Sequence, residues 1–274
     1  MLLAALASPA TSLTPWQAVV LGAIQGVSEP LPISSSAHLY LVPRLLGWTY
    51  EGVAFDVALH WGTLLALLIA FWREWLDLVR GFFSPGPAGP GARSMVLRLL
   101  VACIPGAVAG VLLQESAEAK LRAIPLQAAL LAIFGVLMWV ADRLGPRLRK
   151  ADIPDWGTSL LVGFAQALAL VPGVSRSGIT LTAGRAKGLE RVSAARFSFL
   201  LATPITFGAG LVELRHLPHG LPLGTLAAGT ITAAVVGLLC IKGLIAWLSR
   251  AGLGVFAVYR VAFAAFLFAW VALH

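Results

Sequence analysis

Residues 25–38 read Gln-Gly-Val-Ser-Glu-Pro-Leu-Pro-Ile-Ser-Ser-Ser-Ala-His. This stretch interrupts a chain of 274 residues in which 59% are hydrophobic and only 12% are charged. Mean hydropathy is +0.88. Soluble domains carry about 25% charge, so the composition points to an integral membrane protein. Pro30 and Pro32 end a helix here. A break at membrane depth is tolerated only inside protein or beside water. The stretch is therefore read as the apex of a re-entrant hairpin, Trp16–Ser28 followed by Ser34–Leu46.

Outward from this apex, six apolar segments are long enough for a bilayer, which takes about 20 residues. They lie near Val53–Trp72, Met95–Leu113, Ile124–Leu144, Val192–Leu211, Leu223–Leu248 and Leu253–Val271. Trp156–Val171 and Ser175–Lys187, parted at Pro172 and Gly173, read as a second hairpin. Arg73, Arg80, Arg93 and Arg98 place residues 73–98 in the cytoplasm, as Arg143, Arg147, Arg149 and Lys150 place residues 142–155. Residues 114–122, with only Lys120 and Arg122, fall outside. The first hairpin then enters from the outside, and the second from the cytoplasm beside Arg185, Lys187, Arg191 and Arg196. Residues 84–91, SPGPAGPG, read as a flexible connection. MLLAALASPATS at the N-terminus has no basic region and is not expected to be a cleaved signal peptide.

A shift of 141 residues superposes Gly22 on Gly163, Gln25 on Gln166, Ser34 on Ser175 and Ser36 on Ser177. Each half holds one hairpin and three spans, an odd number of crossings, so the halves should lie upside down to one another. The expected fold is an all-α polytopic membrane protein, a single integral membrane domain over 1–274. It has six transmembrane helices plus two re-entrant helical hairpins in an inverted-topology repeat, with halves at approximately 14–145 and 155–272. Such repeats place a binding site near the midplane, where the breaks meet. The net charge of +8 fits cytoplasmic loops; nucleic-acid binding would need a basic face and a soluble module. Cys103 and Cys240 form no metal spacing or disulfide framework. Trp16, Trp48, Trp61, Trp139, Trp156 and Trp270 suit an aromatic belt.

Gln25 and Glu29 share a helix face at spacing i, i+4. Glu29 sits at a helix C-terminus, where a carboxylate calls for a cation. Gln25 and Glu29 give a partial shell for a divalent cation, Mg²⁺ or Ca²⁺, completed by water and phosphate oxygens. Ser34, Ser35 and Ser36 open the next helix, whose N-terminus offers N–H groups to an anion. His38 follows Ser35 by three residues and is a candidate base, acid or nucleophile. At the second break Arg176 lies in the first turn of a helix, with Thr180 at i+4. A cation is unfavourable there unless an anion joins it, and arginine binds phosphate bidentately; the alternative is a buried Arg176–Glu29 pair, which could open on ligand arrival. The inventory suits phosphoryl transfer. Asp56 and His60 could brace the first hairpin or tune the site, Gln166 reads as a partner for broken backbone, and His216 and His219 as solvated.

These residues resemble those of the undecaprenyl pyrophosphate phosphatase, or bacitracin-resistance, family. Gln25 and Glu29 meet its Glu/Gln-x₃-Glu pattern; Ser34, Ser35 and His38 meet its Ser-Ser-x-x-His. Pro172, Gly173, Ser175, Arg176, Ser177 and Thr180 meet its Pro-Gly-x-Ser-Arg-Ser-x-x-Thr. Pro30 replaces an aromatic residue, and Ala37 a glycine, common in the family. The resemblance implies a multi-pass enzyme of the bacterial inner membrane, with its site facing the outer side. It would act, with a divalent cation, on a polyprenyl pyrophosphate lipid; a homodimer is compatible with it. Arg176 would neutralise the diphosphate with Ser175, Ser177 and Thr180, in a phosphate cradle that Ser34, Ser36 and Gly173 complete. Glu29 with Gln25 would hold the metal or position a proton donor. His38 would be nucleophile or base, with Ser35 the rival nucleophile. The competing reading from another class is a transporter or flippase for isoprenyl phosphate or another small anion.

Overall fold

The computed structural model describes residues 13–48, 53–146, 153–213 and 222–273, and every regular element among them is helical. The order is α1 (Pro15–Ser28), α2 (Ser35–Leu45), α3 (Val53–Ala70), α4 (Trp72–Phe83), α5 (Gly89–Lys120) and α6 (Ile124–Leu144). Then come α7 (Trp156–Ala167), continued by a 3₁₀ turn at Leu168–Leu170, α8 (Arg176–Ala186), α9 (Arg191–Glu213), α10 (Leu223–Leu248) and α11 (Gly254–Leu273). Five helical stretches are long and apolar enough to cross a membrane: Gly89–Leu113 of α5, and α6, α9, α10 and α11. Phe55–Ala70 and Trp72–Phe83 make a sixth if taken together, although 71° separates them. Val111, Leu112, Phe164, Leu239 and Val258 are exposed, as lipid-facing side chains are. The chain is an all-helical, multi-pass membrane protein.

The short helices have local causes. α1 starts on a capping box: Thr14 Oγ1 accepts from Gln17 N at 3.3 Å, and Gln17 Oε1 accepts from Thr14 N at 2.8 Å. It stops at Glu29, because Pro30 cannot follow in a helix. α7 is capped by Asp155, whose Oδ1 accepts from Thr158 N at 2.8 Å. Three expectations need correction. The chain bends at Phe71, and Trp72–Phe83 forms a separate amphipathic helix in which Arg73, Glu74, Asp77 and Arg80 interleave with Trp75, Leu76 and Val79. Residues 84–91 are not a flexible connection: Ser84 Oγ accepts from Gly86 N at 3.1 Å, Arg93 Nη1 donates to Ser84 O at 3.1 Å, and α5 already starts at Gly89. Trp61 is no belt residue but packs edge-on against Phe207, with ring centroids 5.7 Å apart. His216 and His219, the first twelve residues, and Arg147, Arg149 and Lys150 lie outside the described residues.

The two sequence halves interlock. α1 packs against α10, with Gly22 on Gly229 and Gly26 on Ala233 and Gly237. α7 packs against α5, with Gly163 on Ala102. Small residues at both crossings let the backbones touch. Arg185 and Arg191 are more than loop charges. Asp142 at the end of α6 accepts from Arg185 Nε at 3.1 Å, Arg191 Nε at 2.7 Å and Leu253 N at 3.0 Å, joining α6, α8, α9 and the start of α11.

Candidate active site

The α1–α2 break and the α7–α8 break lie against each other. Ser34 (φ 77°) and Ser175 (φ 73°) are the non-glycine residues with positive φ among the described residues. Each stands one residue before its helix, in a backbone geometry that costs on the order of 1–3 kcal/mol. In both, the serine hydroxyl faces the serine two residues on: Ser34 Oγ to Ser36 Oγ is 3.3 Å, and Ser175 Oγ to Ser177 Oγ is 3.4 Å.

Direct bonds stitch one break to the other. Gly173 N donates to Ser34 Oγ at 3.2 Å, and Ser177 Oγ donates to Leu31 O at 3.0 Å. Gly173 has φ +98°, and a Cβ there would lie 2.7 Å from Gln127 O, so only glycine serves. Arg260 of α11, fully buried, completes the join. It donates to Pro32 O at 3.3 Å, Gly173 O at 2.8 Å, Val174 O at 3.0 Å and Leu131 O at 3.1 Å. Its partners belong to both breaks and to α6.

Glu29 is the centre of the polar cluster. Its Oε1 pairs with Arg176 Nη2, and its Oε2 accepts from Ser35 Oγ. Gln25 Nε2 and His60 Nε2 also approach Oε2, each at 3.4 Å. His60 Nδ1 lies 2.7 Å from Asp56 O. A carbonyl can only accept, so Nδ1 carries a proton and Nε2 is the atom turned to Glu29. Arg176 Nη1 is buried and has no hydrogen-bond partner among the described residues. A guanidinium N–H left so is costly unless an anion completes it.

A cavity of about 320 Å³ opens over this cluster. Of the residues expected in the site, Glu29, Ser35, Ser36, Ser175 and Arg176 line it. The others are gathered at the breaks but turned to other tasks. Ser34 and Ser177 hold the breaks together, and Gly173 spends its N–H on Ser34. Thr180 bonds Arg176 O at 2.8 Å and Ser198 Oγ at 2.6 Å. Gln25 lies beneath Glu29, fully buried. His38 faces away: its Nδ1 donates to Ser34 O at 2.7 Å, its Nε2 accepts from Tyr259 OH at 2.6 Å, and Phe263 stacks on it at 4.8 Å. Both ring nitrogens are used, so His38 orients the start of α2.

Of the two roles open to His60, its contacts favour tuning the site, because it reaches both Glu29 and the cavity. Two participants escaped the sequence reading. Gln166 lines the cavity instead of capping broken backbone. Arg260 and its partner carbonyls are far apart in sequence, and no local pattern signals it.

Among the described residues no three His, Cys, Asp or Glu side chains converge on a cation site. Glu29 is one carboxylate, and Gln25 Oε1 is a buried acceptor without a partner. That donor pair fits Mg²⁺ or Ca²⁺ arriving on phosphate oxygens, since Mg²⁺ is ordinarily held by one or two carboxylates plus substrate.

A family model described as bacitracin resistance protein BacA matches residues 18–266. Among curated proteins, the chain is 46% identical over 251 residues to the undecaprenyl-diphosphatase of Desulforudis audaxviator, covering 91% of this chain and 95% of that one. It is 47% identical over 258 residues to the undecaprenyl-diphosphatase of Moorella thermoacetica, covering 94% and 98%. The protein of the same name from Gemmatimonas aurantiaca is 46% identical over 265 residues, covering 95% and 99%.

Proposed function

Because the chain belongs to the bacitracin resistance protein BacA family, we propose that it hydrolyses undecaprenyl pyrophosphate to undecaprenyl phosphate and inorganic phosphate, recycling the carrier lipid of cell-wall synthesis. One observation carries the chemistry: a single carboxylate, Glu29, holds the Ser35 hydroxyl with one oxygen and Arg176 with the other, at the floor of a cavity. A hydroxyl hydrogen-bonded to a carboxylate is an activated nucleophile. A guanidinium with a spare N–H donates to a phosphate oxygen.

The terminal phosphate rests on Arg176 and the hydroxyls of Ser36 and Ser175. Ser35 Oγ attacks its phosphorus and passes its proton to Glu29. The bond to the bridging oxygen breaks, and the lipid monophosphate leaves with that electron pair. Glu29 releases the serine proton to the cavity by way of His60. Water then attacks the phosphoserine and gives one proton to Glu29, the bond from phosphorus to Oγ breaks, and Glu29 returns the proton to Oγ as inorganic phosphate departs. His60 Nε2 relays protons between Glu29 and the cavity. Ser34, Ser177, Gly173, Thr180 and His38 keep the two breaks in register. Glu29 and Gln25 Oε1 would hold a divalent cation with the substrate, where it withdraws charge from the diphosphate.

We read the halves as inverted copies and the α1–α2 and α7–α8 pairs as re-entrant hairpins. The matched Ser34 and Ser175 backbones and the exchanged packing of α1 with α10 and α7 with α5 support this. Family membership is what supports placement in the bacterial inner membrane with the site facing the outer side; the arginine-rich loops support entry of the first hairpin from that side. Every group in the cluster comes from one chain, so this chemistry does not call for a homodimer.

The test is phosphate release from undecaprenyl pyrophosphate by purified protein in detergent with Mg²⁺, followed by rapid quench and mapping of any adduct. Release with phosphoserine at Ser35 is expected. A transporter would release nothing, and an adduct on His38 would overturn the role given to Ser35.

A further inference from the structure

Gln166 lies in the last turn of α7 and is 4% exposed, yet neither its Oε1 nor its Nε2 has a hydrogen-bond partner among the described residues. It lines the same cavity as Arg176 and Glu29. The amide nitrogen lies over Gly106, where an added Cβ would stand only 3.1 Å away. Glycine at that position leaves room for the amide without offering it a bond.

Its counterpart shows what is missing. Gln25, one shift of 141 residues earlier, gives its Nε2 to Glu29 and to Thr63, each at 3.4 Å. The same shift carries Glu29 onto Leu170, so Gln166 has no carboxylate to bond. Burying an amide without a partner is unfavourable by about 1–3 kcal/mol in proteins. A ligand that supplies acceptor oxygens removes that cost on arrival.

We propose that Gln166 is a substrate contact: its carboxamide donates to a non-bridging phosphate oxygen of the diphosphate, beside the free Nη1 of Arg176. This rests on the hydrolase reading above. Two donors from α7 and α8 thus converge on one anion, one charged and one neutral. The neutral donor adds directionality without adding charge that product phosphate would retain. The contact forms with bound diphosphate before reaction, so it acts on binding more than on turnover.

The experiment compares wild type with Gln166→Leu and Gln166→Glu in detergent, reading steady-state kinetics and thermal unfolding with and without inorganic pyrophosphate. Gln166→Leu should raise KM about tenfold, the equivalent of one lost hydrogen bond of ~1.4 kcal/mol, with kcat within about twofold. It should also raise the melting temperature of the ligand-free protein, since a partnerless buried amide is gone. Gln166→Glu should raise KM further by repelling the diphosphate. In both variants the stabilisation by pyrophosphate should shrink. A structural amide would behave oppositely: Gln166→Leu would melt lower, with KM and the pyrophosphate shift unchanged, and that result overturns the proposal. If wild type releases no phosphate, the hydrolase reading fails, and the pyrophosphate-dependent melting of the variants still decides whether Gln166 meets an anion.

Discussion

The two helix breaks share a backbone and divide a chemistry. Both turn on a serine of positive φ, Ser34 or Ser175, and both pair hydroxyls two residues apart. Their side chains then diverge. Where the first break carries Glu29, Ser35 and His38, a shift of 141 residues finds Leu170, Arg176 and Ile179 in the second. One break supplies proton acceptor and nucleophile, and the other supplies the cation. Neither is complete alone. A carboxylate and a guanidinium placed on one short turn would satisfy each other; on facing turns they can part to admit an anion between them.

That division can be attacked at four depths. The largest effect is expected from Arg176→Met, which deletes the second break's charge. Phosphate release should fall by about 10³-fold, the usual loss on removing a charge-stabilising donor. A variant retaining a tenth of the wild-type rate would show that the cation is not what the second break contributes. Next comes Arg260→Met, which leaves both breaks chemically intact but unties them. Displacement by about 1 Å can cost about 10²-fold, so kcat should drop on that scale together with the melting temperature. Unchanged kcat would mean that the direct bonds from Gly173 and Ser177 suffice.

Third, Gly22→Ala and Gly163→Ala test whether the scaffold is alike while the chemistry is not. Each would push a methyl into the backbone of a facing helix, at Gly229 or Ala102. Each should destabilise by about 1–3 kcal/mol, read as matched shifts in thermal unfolding. A large effect at one and none at the other breaks the parallel. The smallest effects belong to Ser34→Gly and Ser175→Gly. Relief of the positive φ and loss of one hydroxyl bond nearly cancel, leaving a net change under about 1 kcal/mol. They should separate in kinetics: Ser34→Gly loses the bond from Gly173 N across the breaks and should lower kcat, whereas Ser175→Gly loses its bond from Gly178 N and a hydroxyl that meets the phosphate and should raise KM. Unchanged kcat in Ser34→Gly would remove Ser34 from the stitching.

What is legible in the sequence follows the same line. Proline, glycine and serine act on their own backbone, so both breaks and their helices stood out to within a residue or two. The spacing of Gln25 and Glu29 likewise fixed a shared face. Apart from the Arg176–Glu29 pair, long-range partners are not legible. His38 reads as sharing a helix face with Ser35, but its Nε2 bonds Tyr259 OH, 221 residues away. His60 stays open between brace and site-tuning group because nothing near it in sequence shows that Nε2 meets Glu29. The bend at Phe71 falls next to the span end read at Trp72, but Arg73, Glu74, Asp77 and Arg80 read as loop charges, so the helix Trp72–Phe83 is not legible, and residues 84–91 read as loose because glycine and proline often are. Arg260 sits in an apolar run that reads simply as a span.

Arg260 also has a consequence for the electric field of the molecule. It is a full positive charge inside the membrane region that bonds only carbonyl oxygens among the described residues, with no carboxylate beside it. Arg176 is offset by Glu29, and the cavity lining sets Asp56 and Glu213 against Arg122. Dipoles solvate a buried charge but do not cancel it, and buried charges are little screened by salt. Arg260 therefore offsets the surplus carboxylate of the lining from behind the breaks, so an arriving diphosphate meets balanced surroundings without a further cation in the site itself.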